Sequence, residues 1–204
     1  MRFAIRVTST VVVGLLATGV GGCAPSVQTT GAASSTPSGA WSTVAVSPTT
    51  SPTEALPPLG PQGYGALRLG MTKAQAQETG MTAGLTTTTK GTCGGPEDGS
   101  LSGVTPSPDD TDVAGRLFFS ATTDRLVAIY AAASVATPQG IRLGTPVDTL
   151  VAAFPEWEAQ EPGPIDGRGW VDAPGNPEAH YRIVVKDGQV VELSLDSNQQ
   201  DCYE

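Results

Sequence analysis

Residues 61–204 contain one short pattern twice, and this repeat constrains the fold more than any other feature of the chain. Leu67-Arg68-Leu69-Gly70 is answered by Ile141-Arg142-Leu143-Gly144, 74 residues later. In each copy the residues favour a short strand, a glycine turn and a helix, followed by a β-hairpin. The sequence therefore predicts an α+β domain of two pseudo-repeats of strand-helix-β-hairpin, residues 61–135 and 136–204, forming an antiparallel sheet with helices packed on it.

Both predicted helices begin with residues that can cap a first turn. In the first copy Thr72 and Gln75 form a capping-box pattern. In the second copy we expect Thr145 to cap the helix, with Pro146 in the first turn and Asp148 completing the box. The second helix also carries one continuous apolar stripe, formed by Val147, Leu150, Val151 and Phe154.

Each copy continues into a segment that is expected to form a β-hairpin. These segments are residues 115–132 and 180–195, and Asp187-Gly188 is a strong turn signal in the second. A two-residue turn there pairs Ile183 with Glu192, whereas the apolar alternation after the turn favours a register shifted by one residue. A β-bulge would reconcile the two patterns, so the register stays open.

Glycine and proline are frequent, with 25 and 17 among 204 residues, so a large part of the chain is expected in turns, loops and linkers. Among the segments that connect the repeated elements, residues 84–93 favour a further strand. Residues 161–178 contain several Gly and Pro residues and are expected to form a loop.

The N-terminus has the organisation of a secretory leader. Arg2 and Arg6 form a basic n-region, and residues 7–20 form an apolar stretch that is too short to span a bilayer. These features predict a signal peptide over residues 1–22. Residues 23–60 consist mainly of Ser, Thr, Pro, Ala and Gly after the initial cysteine, which favours a disordered linker.

The three cysteines fall into two groups. Val20-Gly21-Gly22-Cys23 resembles a bacterial lipobox, and this resemblance implies cleavage before Cys23 and attachment of lipid, including palmitate, at that residue. The protein is then expected on the extracytoplasmic face of the cell membrane, held by its lipid anchor. The alternative is an ordinary signal peptide with an incidental cysteine. In that oxidising compartment Cys93 and Cys202 are predicted to form a disulfide.

The repeated motif resembles two families of bacterial protein. Leu-Gly-Met-Thr at residues 69–72, with a helix following, and Ile-x-Leu-Gly-x-Pro at residues 141–146 are similar to domain openings in two groups. These groups are the BamE (SmpA/OmlA-type) lipoproteins and the tandem-repeat β-lactamase inhibitory proteins. The resemblance implies a related fold. It carries over no contact residue, because no second helix follows either predicted helix and nothing matches the contact loops of the inhibitors.

Charge and residue content exclude several classes of function. After residue 22 the chain has 9 Lys and Arg residues against 20 Asp and Glu, without a basic cluster, which argues against nucleic acid as a partner. His180 is the single histidine, and no nucleophile lies in a recognised catalytic context. We therefore expect no catalytic, metal-binding or cofactor-binding residue and a protein that is not an enzyme, although paired carboxylates of the glycosidase kind stay open.

The function expected from these features is that of a lipid-anchored binding or scaffold lipoprotein, acting through protein-protein contact with an envelope protein. One alternative is an inhibitor of a secreted or cell-wall hydrolase, and a third is a hydrolase. The inhibitor alternative predicts a sheet face with exposed aromatic residues among Tyr130, Trp157, Trp170 and Tyr181, with core packing as the competing expectation for Trp157 and Tyr181. The oligomeric state is left open.

Overall fold

Antiparallel sheets make up most of the fold in the computed structural model, which describes residues 55–104, 111–162 and 166–203. The central sheet has six strands in the order β6 (Leu117–Phe119), β7 (Leu126–Tyr130), β11 (Gln189–Ser197), β10 (Asn176–Lys186), β9 (Gly167–Ala173) and β8 (Glu161–Pro162). A second sheet joins β1 (Leu59–Gly60), β2 (Gly63–Tyr64) and β3 (Leu67–Arg68), and a third joins β4 (Thr82–Ala83) and β5 (Ser100–Leu101). The two α-helices are α1 (Lys73–Glu78) and α2 (Val147–Ala153), and a 3-10 turn spans Pro96–Asp98. The predicted α+β class with antiparallel sheet is confirmed.

Packing begins upstream of residue 61, inside the segment that the sequence assigns to the linker. Leu59 is fully buried, and its backbone N–H donates to the Ala136 carbonyl at 2.8 Å. The Tyr181 hydroxyl donates to the Leu59 carbonyl at 2.9 Å. The predicted signal peptide, Cys23 and the predicted linker as far as residue 54 lie outside the described residues. No helix among the described residues has the length and apolar character needed to cross a membrane.

The two helices begin differently, although the sequence predicts a capping box for both. The box of α1 is confirmed, since the Thr72 hydroxyl accepts from the Gln75 N–H at 3.2 Å and Gln75 Oε1 accepts from the Thr72 N–H at 3.0 Å. The prediction for α2 is wrong, because Pro146 occupies the capping position and no side chain caps the helix. The Thr145 hydroxyl instead accepts from the Arg142 N–H at 3.0 Å, which closes the turn before the helix.

The β10–β11 hairpin resolves the register that the sequence leaves open. Asp187 and Gly188 both have positive φ, at 52° and 72°, as a two-residue type I′ turn requires. A bulge follows between Val184 and Val185, and beyond it Ile183 lies opposite Leu193. The shifted register is therefore the one adopted.

The loop predicted over 161–178 is wrong, because this range contains β8, β9 and the start of β10. Gly167 and Gly169 occupy buried positions of β9, where a strand pattern would normally show apolar side chains. A Cβ at Gly169 would approach the Glu158 carbonyl oxygen to 2.3 Å, so this position admits only glycine. Because glycine is not apolar in a hydrophobicity pattern, the pattern does not indicate the strand.

The strand predicted over 84–93 is also wrong, since these residues form turns and irregular structure. Their backbone groups bind a mixture of side chains and single backbone carbonyls, among them the Phe119 carbonyl on β6, which accepts from the Cys93 N–H at 3.0 Å. The Gly91 N–H donates to Asp124 Oδ1 at 2.8 Å, and the Thr92 N–H donates to Asp98. These separate hydrogen bonds do not form the regular ladder of a strand pair.

The two faces of the central sheet are covered differently. The inner face packs against both helices through a large apolar core that includes Ala76 of α1 and Leu150 of α2. Trp157 and Tyr181 belong to this core, so core packing is confirmed for both residues. Val151 points away from it and is 41% exposed, so the apolar stripe of α2 is narrower than predicted.

Candidate functional site

The outer face of the central sheet is organised in three cross-strand rows, set by the strand register. The first row runs through Phe118, Ala128, Asp196, His180 and Asp172. The second row runs through Tyr130, Ser194, Arg182 and Trp170. The third row runs through Glu192, Val184 and Arg168. Residues directly opposite one another on neighbouring strands share a face, so these side chains form one surface.

The C-terminal segment, residues 198–203, covers the part of this face that lies over β6, β7 and β11. The Tyr203 ring contacts the rings of Phe118 and Tyr130, with centroids at 5.7 and 6.3 Å. Cys202 is joined to Cys93 in a disulfide with Cα atoms 5.1 Å apart, in agreement with the predicted pairing. Gln200 Oε1 accepts from the N–H groups of Cys202 and Tyr203, which holds the segment in a turn.

The open half of the outer face is the remaining part, over β9 and β10. It presents Trp170, which is half-buried and has the Arg168 guanidinium 5.9 Å from its ring centroid. Arg182 is opposite Trp170 and forms an ion pair with Glu192 at 2.9 Å. Burial alone would lower the pKa of Arg182, but its hydrogen bond with Glu192 raises it, so the guanidinium is charged.

Asp196 is fully buried between the open half and the covered half. The hydroxyls of Ser194 and Tyr203 lie beside its carboxylate and stabilise it, although neither contact has the geometry of a regular hydrogen bond. The closest basic group is His180, whose Nε2 lies 3.8 Å from Asp196 Oδ2. Burial raises the pKa of Asp196, and the hydroxyls of Ser194 and Tyr203 and the charges of His180 and Arg182 counteract this only in part.

His180, Asp196 and Ser194 bring together the side-chain types of a hydrolase, but not in an accessible arrangement. Ser194 is fully buried, and its hydroxyl interacts with the Asp196 carboxylate. His180 Nδ1 lies 2.8 Å from Asn198 Oδ1, in the C-terminal segment. A substrate would have to reach a serine that lies inside the protein, so the arrangement does not support nucleophilic catalysis.

Asp98 is a second buried carboxylate, in the first half of the domain. It accepts from the backbone N–H groups of Thr92, Gly94 and Phe119 at 2.9–3.1 Å and pairs with Lys73 Nζ at 2.9 Å. Burial alone would raise the pKa of Asp98, but Lys73 and the backbone donors lower it below its ordinary value. Because its donors come from the protein itself, this site orders the surrounding loop.

Asp201 lies close to the disulfide, within 4.8 Å of both sulfur atoms. Its carboxylate accepts from the Ser120 hydroxyl at 2.9 Å, and hydrogen bonds with Thr122 and Ser120 lower its pKa. Metal binding by cysteine requires the thiolate, which a disulfide sulfur lacks. This group of residues therefore does not form a metal site while the disulfide is intact.

Comparison of the chain with models of protein families, with curated proteins and with solved structures finds no match. The sequence points to His180, Tyr130, Trp170, Cys93 and Cys202, but not to Asp196, Ser194 or Arg182. The alternation of polar and apolar residues in Leu193-Ser194-Leu195-Asp196 is the signal for them, since it places Ser194 and Asp196 on one face of the strand.

Proposed function

We propose that this protein is a lipid-anchored binding or scaffold lipoprotein, located on the extracytoplasmic face of the cell membrane, that acts through protein-protein contact. The lipobox-like Val20-Gly21-Gly22-Cys23 supports the anchor, and the Ser/Thr/Pro-rich residues after it support a tether. The open half of the outer face is the observation that carries the contact function.

Trp170 and the arginines around it form the kind of surface that binds another protein. Trp and Arg are enriched among the side chains that dominate binding energy at interfaces. Here the strand register, the Glu192 ion pair and the contact of Arg168 with the Trp170 ring hold these side chains in place. Little side-chain entropy is then lost when a partner binds. We infer an envelope protein that presents an apolar side chain to Trp170 and Val184.

Crosslinking in the cell envelope tests this contact. Cells that express the wild-type chain, Trp170→Ala or Val151→Ala are crosslinked, and the adducts are identified by mass spectrometry. Val151→Ala is the matched control, since Val151 is an exposed apolar residue on α2, away from the outer face. We expect an envelope protein in the wild-type adduct that is depleted about tenfold or more by Trp170→Ala and retained with Val151→Ala. An adduct that Trp170→Ala leaves undiminished would contradict the contact.

The lipid anchor has a separate test. Cys23→Ala removes the thiol that would accept the lipid, so we expect the protein to leave the membrane fraction or to stay uncleaved. Fractionation and the intact mass of the protein report both outcomes. Unchanged membrane association and an unchanged processed mass would overturn the lipoprotein proposal.

A hydrolase inhibitor is the second candidate, and the aromatic residues give it less support. Of the four aromatic residues named for it, Trp157 and Tyr181 are in the inner core and Tyr130 is covered by Tyr203. Trp170 alone belongs to the open half of the outer face. The crosslinking experiment separates the two candidates, because a secreted or wall hydrolase in the adduct favours inhibition.

The organisation as two pseudo-repeats is part of this proposal. Helices α1 and α2 begin at Lys73 and Val147, and their separation equals the offset between the two sequence motifs. Each helix also follows its Leu-Arg-Leu-Gly or Ile-Arg-Leu-Gly motif by a few residues. The shared spacing supports a duplicated unit that has diverged outside the strand-turn-helix segment.

A further inference from the structure

One edge of the central sheet is open beside the open half of the outer face. At the opposite edge, loop residues form hydrogen bonds with β6, as the Cys93 N–H does with the Phe119 carbonyl at 3.0 Å. At the edge beyond β9, strand β8 has two residues and lies opposite only Arg168 and Gly167. No other described strand lies on that side of β9. Residues 169–173 of β9 therefore form an edge without a neighbouring strand among the described residues.

The hydrogen bonds near β8 show which backbone groups of β9 face this edge. The Arg168 carbonyl accepts from the Gln160 N–H at 2.9 Å, so the backbone groups of Arg168 point away from β10. Because this direction alternates along a strand, the N–H and C=O groups of Trp170 and Asp172 point the same way. In the part of the chain that the structure describes, no backbone group on that side pairs with either residue. Two donors and two acceptors are thus placed to pair with an added strand.

The register on the other side of β10 independently gives the same direction. The Leu193 carbonyl accepts from the Ala131 N–H at 2.8 Å, so the backbone groups of Leu193 point to β7 and those of Ser194 point to β10. Ser194 lies opposite Arg182, whose backbone groups therefore point to β11 and not to β9. Trp170 lies opposite Arg182 on β9. Its N–H and C=O groups accordingly point away from β10, towards the edge.

The side chains that border this edge are apolar and acidic. Trp170 and Asp172 lie on the outer face, where Asp172 is exposed, and Val171 between them is buried on the inner face. The central sheet is antiparallel throughout, and antiparallel pairing is the more stable kind per residue. An added antiparallel strand would place residues opposite Trp170 and Asp172 on the outer face and one residue between them on the inner face. These positions suit an apolar, a basic and an apolar residue, respectively.

Charge favours a different protein over a second copy of this chain as the added strand. After residue 22 the chain has 9 Lys and Arg residues against 20 Asp and Glu, so two copies repel each other. Two β9 edges paired with Trp170 at the centre would also collide at Arg168, where β8 already lies. Pairing centred on Val171 would place Asp172 opposite Trp170 of the other copy, without a basic residue.

We propose that an envelope protein binds by strand addition, with an extended segment of it paired antiparallel to the edge of β9 at residues 170–172. Along its own chain this segment carries a basic residue opposite Asp172, then an apolar residue, then an apolar residue opposite Trp170. The inference rests on the proposed function, because it states how the partner of the open half binds. Main-chain hydrogen bonds supply the affinity, and the side chains opposite Trp170 and Asp172 supply the specificity.

Two substitutions of one residue isolate the main-chain contribution. Asp172→Pro removes the outward N–H and places a proline ring at the edge, and an edge strand tolerates proline where the N–H faces away from its neighbour. Asp172→Ala is the matched control, since it loses the same carboxylate but keeps the N–H. In the envelope crosslinking experiment we expect Asp172→Pro to deplete the adduct about tenfold more than Asp172→Ala, since one hydrogen bond is lost and the ring blocks its neighbour. Equal adducts from these two variants would overturn strand addition.

Amide hydrogen exchange of the wild-type protein keeps the test valid if Asp172→Pro does not fold. The N–H groups of Trp170 and Asp172 should exchange about tenfold or more faster than that of Val171, which points to β10. The synthetic peptide Thr-Lys-Val-Val-Thr, at millimolar concentration, should slow exchange at Trp170 and Asp172. The same peptide N-methylated at its second valine, whose N–H faces the edge, should not. Uniform exchange along residues 170–172, or no slowing by the unmodified peptide, contradicts the proposal.

The crosslinking outcomes separate this inference from the proposed function. An adduct lost with Trp170→Ala but equal in Asp172→Pro and Asp172→Ala leaves the contact function in place and overturns strand addition alone. An adduct that Trp170→Ala leaves undiminished contradicts the contact function itself. An adduct made only of two copies of this chain overturns the envelope partner and assigns the edge to self-association.

Discussion

Asp98 and Asp196 are both fully buried, but the groups that surround their carboxylates differ. Asp98 accepts three backbone N–H groups and pairs with the Lys73 ammonium. Asp196 has no backbone N–H donor among the described residues; the hydroxyls of Ser194 and Tyr203 lie beside it without regular hydrogen-bond geometry, and the His180 nitrogen is 3.8 Å away. The pKa of Asp98 is accordingly lowered, whereas burial raises that of Asp196. Burial alone therefore does not determine the charge state; the donors within reach do.

The surroundings of Asp98 stabilise the fold, whereas those of Asp196 leave a buried carboxylate with few hydrogen-bond donors. The donors to Asp98 come from the loop at Thr92 and Gly94 and from Phe119 on β6, so the carboxylate connects a loop to the central sheet. Around Asp196 an apolar residue would avoid the cost of burying a polar group. Natural proteins commonly break rules of polar satisfaction at functional sites. The comparison thus supports a functional role for Asp196 and its neighbours on the outer face and a structural role for Asp98.

The largest effect is expected from Asp98→Asn. This change removes the negative charge that neutralises Lys73, whose side chain is 4% exposed, and replaces one acceptor oxygen by a donor facing N–H groups. Breaking a buried ion pair by removing one partner costs about 3–5 kcal/mol. Denaturant unfolding should show a loss of stability of this size without a change in slope. A loss below about 1 kcal/mol would contradict the structural role given to Asp98.

The pH dependence provides the matching control for Asp98. A carboxylate whose pKa is lowered on folding contributes stability above its unfolded value of about 4, and this contribution is lost as the pH falls through the lower, folded value. The wild-type protein should therefore lose stability in acid more steeply than Asp98→Asn. Equal slopes in acid would show that Asp98 is not held in its charged form.

Several features of the fold are predictable from sequence because their signals are local. The capping box at Thr72 and Gln75 and the turn at Asp187-Gly188 depend on residues within one turn of the chain. Strand β9 is not predictable in this way. Its buried Gly169 leaves room for the Glu158 carbonyl, and no hydrophobicity pattern contains this tertiary contact. Thr145 is likewise a residue type that caps helices, but its hydroxyl accepts from the Arg142 N–H in the turn before the helix.

The candidate site is likewise predictable from the sequence only in part. The pairing of Cys93 with Cys202 follows from the sequence on the hypothesis that Cys23 carries lipid in an oxidising compartment, and the 5.1 Å separation of their Cα atoms is known only from the structure. The cluster of Asp196 depends on which residue lies opposite which across strands, and that register includes a bulge. Polar alternation in β11 shows that Ser194 and Asp196 share a face, but not that Tyr203 covers it.

A smaller effect, of opposite sign, is expected from Asp196→Asn. A carboxyl whose pKa is raised on folding contributes stability that is complete below about pH 4 and is lost as the pH rises through the folded value. The neutral amide has no such loss, so the variant should be more stable than the wild-type protein at neutral pH, by on the order of 1 kcal/mol, because the amide still lacks full hydrogen bonding. Unfolding midpoints measured from acid to neutral pH should diverge as the pH increases. If Asp196→Asn is destabilised at neutral pH as Asp98→Asn is, the two carboxylates are alike and the contrast between their regions is lost.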